Sequence, residues 1–297
     1  MDFDVIIVGG SYAGLSAALA LGRARKRALV IDAGSPRNRF AQAAHNLLGQ
    51  DGRSPSSILQ AARAELAGYP SIRSLHGNAL SADSTPNGFT IELADGTTQT
   101  AARLILATGV VDDLPPLPGL RERWGKDVLH CPYCHGFEFA GQRLGVLALG
   151  APALHQARMI PDWGPTTLLT NNSLDLTTAD RSALVARGLQ IEDGQVAEII
   201  SRDDRLIGAR LASGRVVALD AIFVAAPWRF PNPLAEHLGC AIDDTQLGPM
   251  LRLDATRQTT IPGVYAAGDA SEMMKSLPAA LYSGAIAGAM VHQSLLG

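Results

Sequence analysis

Cysteine is scarce in this sequence: among 297 residues there are three, Cys131, Cys134 and Cys240. That number excludes a disulfide framework, so the fold has to rest on an ordinary core, and the length suffices for one large or two ordinary domains. Aromatic residues make up only 5%, and neither sign of charge dominates, with 25 Lys and Arg against 28 Asp and Glu. A formal net charge of -3 gives no electrostatic pull toward nucleic acid or an acidic membrane surface. The one basic run, Arg23 to Arg27, falls where a helix should end, and cations suit that end of the helix dipole. The opening "MDFDVIIVGG" lacks the basic start and long apolar run of a signal peptide. The nearest approach to a membrane span is "PAALYSGAIAGAMVHQSLLG", whose small residues, with His292 and Gln293 among them, read as a buried helix. These absences lead us to expect a fully folded cytoplasmic protein with neither nucleic acid nor membrane as partner.

What is present is a repeated plan. Residues 4 to 8 read as a buried strand, "GGSYAGLSAALALGRA" as a glycine turn opening a small-residue helix, and "ALVIDAG" as a second strand ending in Asp32. Strand, glycine turn, helix, strand and acid form the dinucleotide-binding unit. Gly9 makes the tight turn and Gly14 lets helix and strand pack closely. The helix amides then face a pyrophosphate, and Asp32 accepts from ribose hydroxyls. Ser11 stands where the middle glycine is usual. A tight turn that holds no ligand is the alternative reading.

A second copy of the plan lies in "QRLGVLALGAPALHQARMIPDWGPTTLLTNN", with its fingerprint worn: Ala148, Gly150 and Ala153 hold the three positions and Pro152 precedes the last. Its second strand ends in Asn171 and Asn172 instead of an acid, and no Lys or Arg lies between Gly164 and Asp180 to meet a 2′-phosphate. The proline-rich stretch after "RLILATG" marks one crossover between domains, and a second is expected near 240 to 250.

Two of the three cysteines stand in "HCPYCHGFE". A lone C-x-x-C pair is typical of an intracellular redox centre, whereas tetrahedral zinc wants four ligands and only His130 and His135 stand near. We therefore expect no resident metal. Each thiol of such a pair can attack a mixed disulfide formed by the other, which makes exchange intramolecular. Cys240, alone among apolar neighbours, reads as a buried bystander.

"VIIVGGSYAG", "ATG" at 107 to 109, the C-x-x-C and "TTIPGVYAAGDASE", in that order, resemble the low-molecular-weight thioredoxin reductases over essentially the whole chain. The resemblance implies an α/β fold of two Rossmann-like (three-layer ββα) nucleotide-binding domains, the second inserted into the first. On that plan the FAD domain covers 1–115 and 244–297, and an NAD(P)-binding-like domain carrying the cysteines covers 116–243. It also implies a homodimer and a cofactor set of FAD, with NADP(H) doubtful. The cofactor residues it points to are Gly9, Ser11, Ala13, Gly14, Asp32, Ala33, Arg39, His45, Asn46, Thr108, Gly109, Gly268 and Asp269.

Departures from the family pattern narrow the expectation. The residue after the second cysteine is His135 where an aspartate is usual, and Leu277, Pro278 and Ala279 replace an Arg-Gln-Ala run. Together with "CPYCHGFE" these features are similar to the branch of gliotoxin- and holothin-type dithiol oxidases. By that resemblance Cys134 lies against the flavin, Cys131 meets the substrate sulfur and His135 shuttles the proton, a task suited to an ordinary imidazole. A polar residue capping a helix start is the alternative for His135. The expected function is FAD-dependent oxidation of a small-molecule or peptide dithiol with dioxygen as acceptor. The alternatives are an NADPH-dependent reductase of thioredoxin-like proteins and a flavin-binding redox sensor.

Overall fold

The computed structural model describes residues 1–296. They divide into two compact units, one made of Met1–Arg39, Leu47–Val111 and the chain from Trp228 onward, the other of Phe40–Asn46 and Asp112–Pro227. Both are α/β.

In the first unit the apolar run Phe3–Val8 (β1) is buried along nearly its whole length, as a strand covered on both faces must be. Tyr12–Arg23 (α1) follows, then Ala28–Asp32 (β2), Pro55–Leu66 (α2), Ile72–His76 (β3), Ala79–Thr85 (β4), Gly88–Leu93 (β5) and Thr98–Leu106 (β6). The sheet order is β3-β2-β1-β6-β5-β4. Strand β6 runs parallel to β1, from Phe3 opposite Ala101 to Val8 opposite Leu106. Its other edge changes partner midway: Thr98 to Ala101 pair antiparallel with β5, while Leu104 to Leu106 pair parallel with Val264–Ala266. One strand thus joins the parallel nucleotide-binding sheet, the antiparallel meander and the segment that returns near the C-terminus.

The last helix, Leu277–Ser294, starts with Ser276 accepting the Ala279 N–H and Pro278 in its first turn, both good start signals. It crosses α1 at backbone distance. A Cβ on Gly284 would fall 2.1 Å from the Ala13 carbonyl oxygen, and one on Gly288 would fall 2.7 Å from that of Ala17. The small residues of the segment are therefore its contact face. Among the described residues no helix is long and apolar enough to cross a membrane.

The second unit has a five-stranded parallel sheet in the order Gln190–Glu192, Thr166–Leu169, Leu144–Leu147, Ala221–Val224, Val128–Leu129. An antiparallel sheet of Val196–Arg202, Arg205–Leu211 and Val216–Ala218 accompanies it. Within it, Arg123 and Asp127 form a buried ion pair whose carboxylate also accepts the Leu206 N–H, so both charges are neutralised and hydrogen-bonded.

The boundaries differ from the expected 115/116 and 243/244. The chain crosses between the units after Val111 and after Pro227. Residues Trp228, Phe230, Leu234, Leu238 and Cys240 belong to the apolar core of the first unit, so the proline-rich stretch is itself the second crossing. Phe40–Asn46, expected within the first segment, groups with the inserted unit. The reason is local: Gly125 lies so close beneath Phe40 that a Cβ there would stand 2.6 Å from the Phe40 Cβ.

The helix crossing gives a prediction. Gly284→Val forces overpacking against the Ala13 backbone and should cost about 1–3 kcal/mol. Urea unfolding of the holoprotein checks it: the midpoint should fall at unchanged slope, and an unaltered midpoint would mean the two helices do not touch as described.

Candidate active site

The first unit carries a cradle at the end of β1. Gly9 has φ +110, and a Cβ there would lie 2.1 Å from the Ala107 carbonyl oxygen, so the turn admits only glycine. A Cβ on Gly14 would lie 1.8 Å from the Gly9 carbonyl oxygen, the close approach that brings helix onto turn. Ser11 is the N-cap of α1 at φ -96, ψ -161, a conformation open to any residue, which is why serine replaces the middle glycine without strain. Its side chain makes no capping bond, the first turn holds no acid, and among the described residues no carbonyl of the chain takes the N–H of Tyr12, Ala13 or Gly14. A helix N-terminus left open in this way fits a pyrophosphate.

Asp32 ends β2 with one carboxylate oxygen accepting from the Gly34 N–H at 3.2 Å and the other from Arg63 at 3.0 Å. Arg63 also donates to the Gly10 carbonyl. Gly10 lies close enough to Asp32 that a Cβ would stand 2.6 Å from the aspartate Cβ. Asp269, in the turn Gly268–Ala270, pairs with Arg37 at 2.9 Å. The Gly268 N–H donates to Ser283 Oγ, and its φ is +75. Gly109 likewise has φ +67, beside Thr108 in the turn that follows β6. Ala13 is buried and packs against Gly268 and Gly284. Ala33 and Arg39 are exposed, and Arg39 donates to the Pro36 carbonyl. Arg37 and Arg63, which the sequence reading passed over, are the basic residues that hold the two acids. An open helix end, a glycine floor and two acids fit the diphosphate and ribose of FAD.

The counterpart in the second unit is built from the same elements and is closed. Its helix, Ala153–Met159, has seven residues and Pro152 as N-cap. The amides of its first turn are spent within the chain: Ala153 donates to Gly150, Leu154 to Ala151 and His155 to Pro152. The Asn171 side chain donates to the Ala148 carbonyl at 3.1 Å and accepts the Val196 N–H at 2.9 Å, and Ser173 Oγ adds a bond to Ala148 at 2.7 Å. Asn171 and Ser173 thus stitch together the strand ends over which a nucleotide would lie.

Within the same unit, Cys131 is the N-cap of the helical turn Pro132–His135, extended at φ -116, ψ 118. Proline suits the first helical position. The Cys134 N–H donates to the Cys131 carbonyl at 3.3 Å, which holds the two cysteines on one turn, each half-buried. Gly136 lies under Trp163, where a Cβ would meet the indole at 2.7 Å, and the Trp163 ring meets Tyr133 edge-on at 5.6 Å. Tyr133 and Phe137 remain exposed beside the cysteines.

His135 meets two partners the sequence reading did not join to it. Glu138 lies three residues on, a spacing that shares a helix face and was the available signal. His45, expected beside a cofactor, stands with its ring 6.1 Å from that of His135 and its Nε2 3.4 Å from Glu138 Oε1. Asn46, next to it, takes φ +61, a left-handed conformation that asparagine tolerates. Burial pushes the His135 pKa below the usual imidazole value of 6.5; Glu138 works against that shift and His45 adds to it. The shift favours the neutral ring. Cys240 is buried against Thr259, and burial raises its thiol pKa, in keeping with an inert bystander.

The electrostatics can be read directly. In an NMR titration of the His135 C2 proton, the midpoint should lie below 6.5. Glu138→Gln should lower it further, because the carboxylate favours the charged ring, and His45→Ala should raise it. Opposite signs would refute the assignment of causes.

Comparison with known proteins agrees with this architecture. The family described as pyridine nucleotide-disulphide oxidoreductase matches residues 3–284. The protein named thioredoxin reductase tcpT of Claviceps purpurea (strain 20.1) is 34% identical over 304 residues, covering 99% of this chain and 94% of that one. The crystal structure of an oxidoreductase from Agrobacterium tumefaciens superposes with a TM-score of 0.95 at 44% identity, covering 100% of this chain and 99% of that one. The crystal structure of HlmI gives 0.92 at 35%, covering 99% and 92%. With two nucleotide-binding-type units, an open FAD cradle and a C-x-x-C turn, the chain belongs to the pyridine nucleotide-disulphide oxidoreductases, as an FAD-dependent enzyme of the thioredoxin reductase-like group.

Proposed function

We propose that this enzyme oxidises a small-molecule or peptide dithiol to its disulfide and passes the electron pair to dioxygen, giving hydrogen peroxide. One observation carries the choice of direction: Pro152, Asn171 and Ser173 occupy the pyridine-nucleotide counterpart with contacts of their own, which favours entry of the electrons from the thiol side.

The cysteine turn performs the exchange. A substrate thiolate attacks Cys131 Sγ of the oxidised pair, forming a mixed disulfide and releasing Cys134 as thiolate. The second substrate thiol then attacks the substrate sulfur of that mixed disulfide, closing the product and releasing Cys131. The net change is two electrons gained by the pair and two protons shed by the substrate. His135, neutral and half-buried, takes one proton and the other leaves to solvent. Bound FAD supplies the two-electron route from the reduced pair to dioxygen. Gly9, Gly14 and the open amides of α1 hold its diphosphate, and Asp32 and Asp269 its hydroxyl-bearing parts. Exposed Tyr133 and Phe137 offer an apolar approach for a compact substrate. A homodimer in the cytoplasm is part of the same reading.

The curated relatives are named thioredoxin reductases, and a reductase of this kind would draw on NADPH. Anaerobic titration of the holoprotein separates the two. A small dithiol such as dithiothreitol should bleach the flavin band and NADPH should leave it, with air then restoring the band and yielding one peroxide per disulfide. Rapid bleaching by NADPH would overturn the reading. Cys131→Ser and Cys134→Ser should each cut turnover by at least about a thousandfold while leaving the bound flavin in place, the scale expected when a covalent step is lost.

A further inference from the structure

His45, Glu138 and His135 offer a donor set that the exchange reaction does not need in full. One ligand atom from each lies within 4.8 Å of the other two. Two neutral imidazoles and a carboxylate are the donors of open, three-ligand zinc sites, with a fourth position left to water. Zinc bonds of about 2.0–2.1 Å in a tetrahedron place ligand atoms roughly 3.3–3.4 Å apart. The His45 to Glu138 edge already has that length, 3.4 Å. The Glu138 to His135 edge can close by rotation of Glu138, which is 37% exposed, and the His45 to His135 edge by small turns of the two rings, whose ligand atoms lie within 4.8 Å. That exposure is also the path of entry for an ion.

The backbone around the set is fixed. His135 and Glu138 leave the same short helical stretch, anchored by Gly136 under Trp163. His45 is delivered by Phe40–Asn46, which rests on Gly125 through Phe40. All three residues belong to the inserted unit, so the set does not depend on how the two units are arranged.

We propose that His45, His135 and Glu138 bind a single divalent cation of the zinc class, and that its occupancy and thiol–disulfide turnover exclude each other. The exclusion rests on the function proposed above: a ring nitrogen of His135 that donates its lone pair to a cation has none for a thiol proton. Binding is reversible and needs no oxidant or reductant, because zinc does not change its oxidation state.

The experiment uses FAD-loaded enzyme with Zn²⁺ in calorimetry and Co²⁺ in visible spectroscopy beyond the flavin band. Wild type and the Cys131→Ser, Cys134→Ser double variant should each bind one equivalent, with a four-coordinate cobalt spectrum lacking sulfur charge transfer. His45→Ala and Glu138→Gln should each weaken binding by more than about 100-fold, beyond the effect of losing an outer-sphere partner. Retained flavin absorbance in these variants reports that they are folded. Zinc should arrest dithiol turnover of the wild type, and chelation should restore it. Binding that survives His45→Ala, binding lost with the cysteines, or undiminished turnover by zinc-loaded enzyme would each overturn the proposal. Failure of the oxidase reading is separate, since it would show as rapid bleaching of the flavin by NADPH while metal binding stayed as described.

Discussion

Backbone contact at α1 is the constraint on which the first unit depends. At its front, Gly14 brings the helix against the Gly9 carbonyl, and along its side Ala13 and Ala17 receive Gly284 and Gly288 of the last helix. The first contact aims the open amides; the second brings back a segment far away in sequence, and with it Gly268 and Asp269. A larger residue at any of these positions would part the helix from what it positions. A chain with few aromatic residues and no disulfide framework can therefore still hold a precise cofactor cradle, because the precision comes from removing side chains at the contacts.

The two units apply one plan to different ends. Both have a strand, a glycine-bearing turn and a helix, but α1 keeps its first amides open and Ala153–Met159 spends its own on Gly150, Ala151 and Pro152. Proline at the N-cap also removes a donor outright. Asn171 and Ser173 then occupy the strand ends with side-chain bonds that a nucleotide would have to break. The same unit presents the cysteine turn on a packed floor of Trp163 and Gly136.

What was legible in the sequence follows from the range of the interactions involved. The first unit's turn, its acid and the buried last helix are local patterns, and they are found within a residue or two of where the letters put them. The worn second fingerprint was equally visible, though its meaning, amides satisfied within the chain, shows only in the hydrogen bonds. The second crossing, expected near 240 to 250, falls earlier, after Pro227, because Trp228 and Phe230 are already core residues of the first unit, the indole N–H donating to Pro249 and the ring lying under Lys275. Arg37 and Arg63 are unremarkable letters until Asp269 and Asp32 meet them in space. His45 was marked for its neighbour Asn46, and nothing local ties it to a histidine so far along the chain.

The surroundings of His135 suit an imidazole better than a second carboxylate. A carboxylate beside Glu138 would meet like charge in a half-buried place, and one of the two acids would be driven to hold its proton. An imidazole avoids that conflict by being neutral when empty and positive when loaded. Burial favours the neutral form, and Glu138 partly opposes that shift. His45 shares the same carboxylate, at 3.4 Å. The arrangement brings two imidazoles and a carboxylate together, a donor set that is, by its chemistry, also open to a cation.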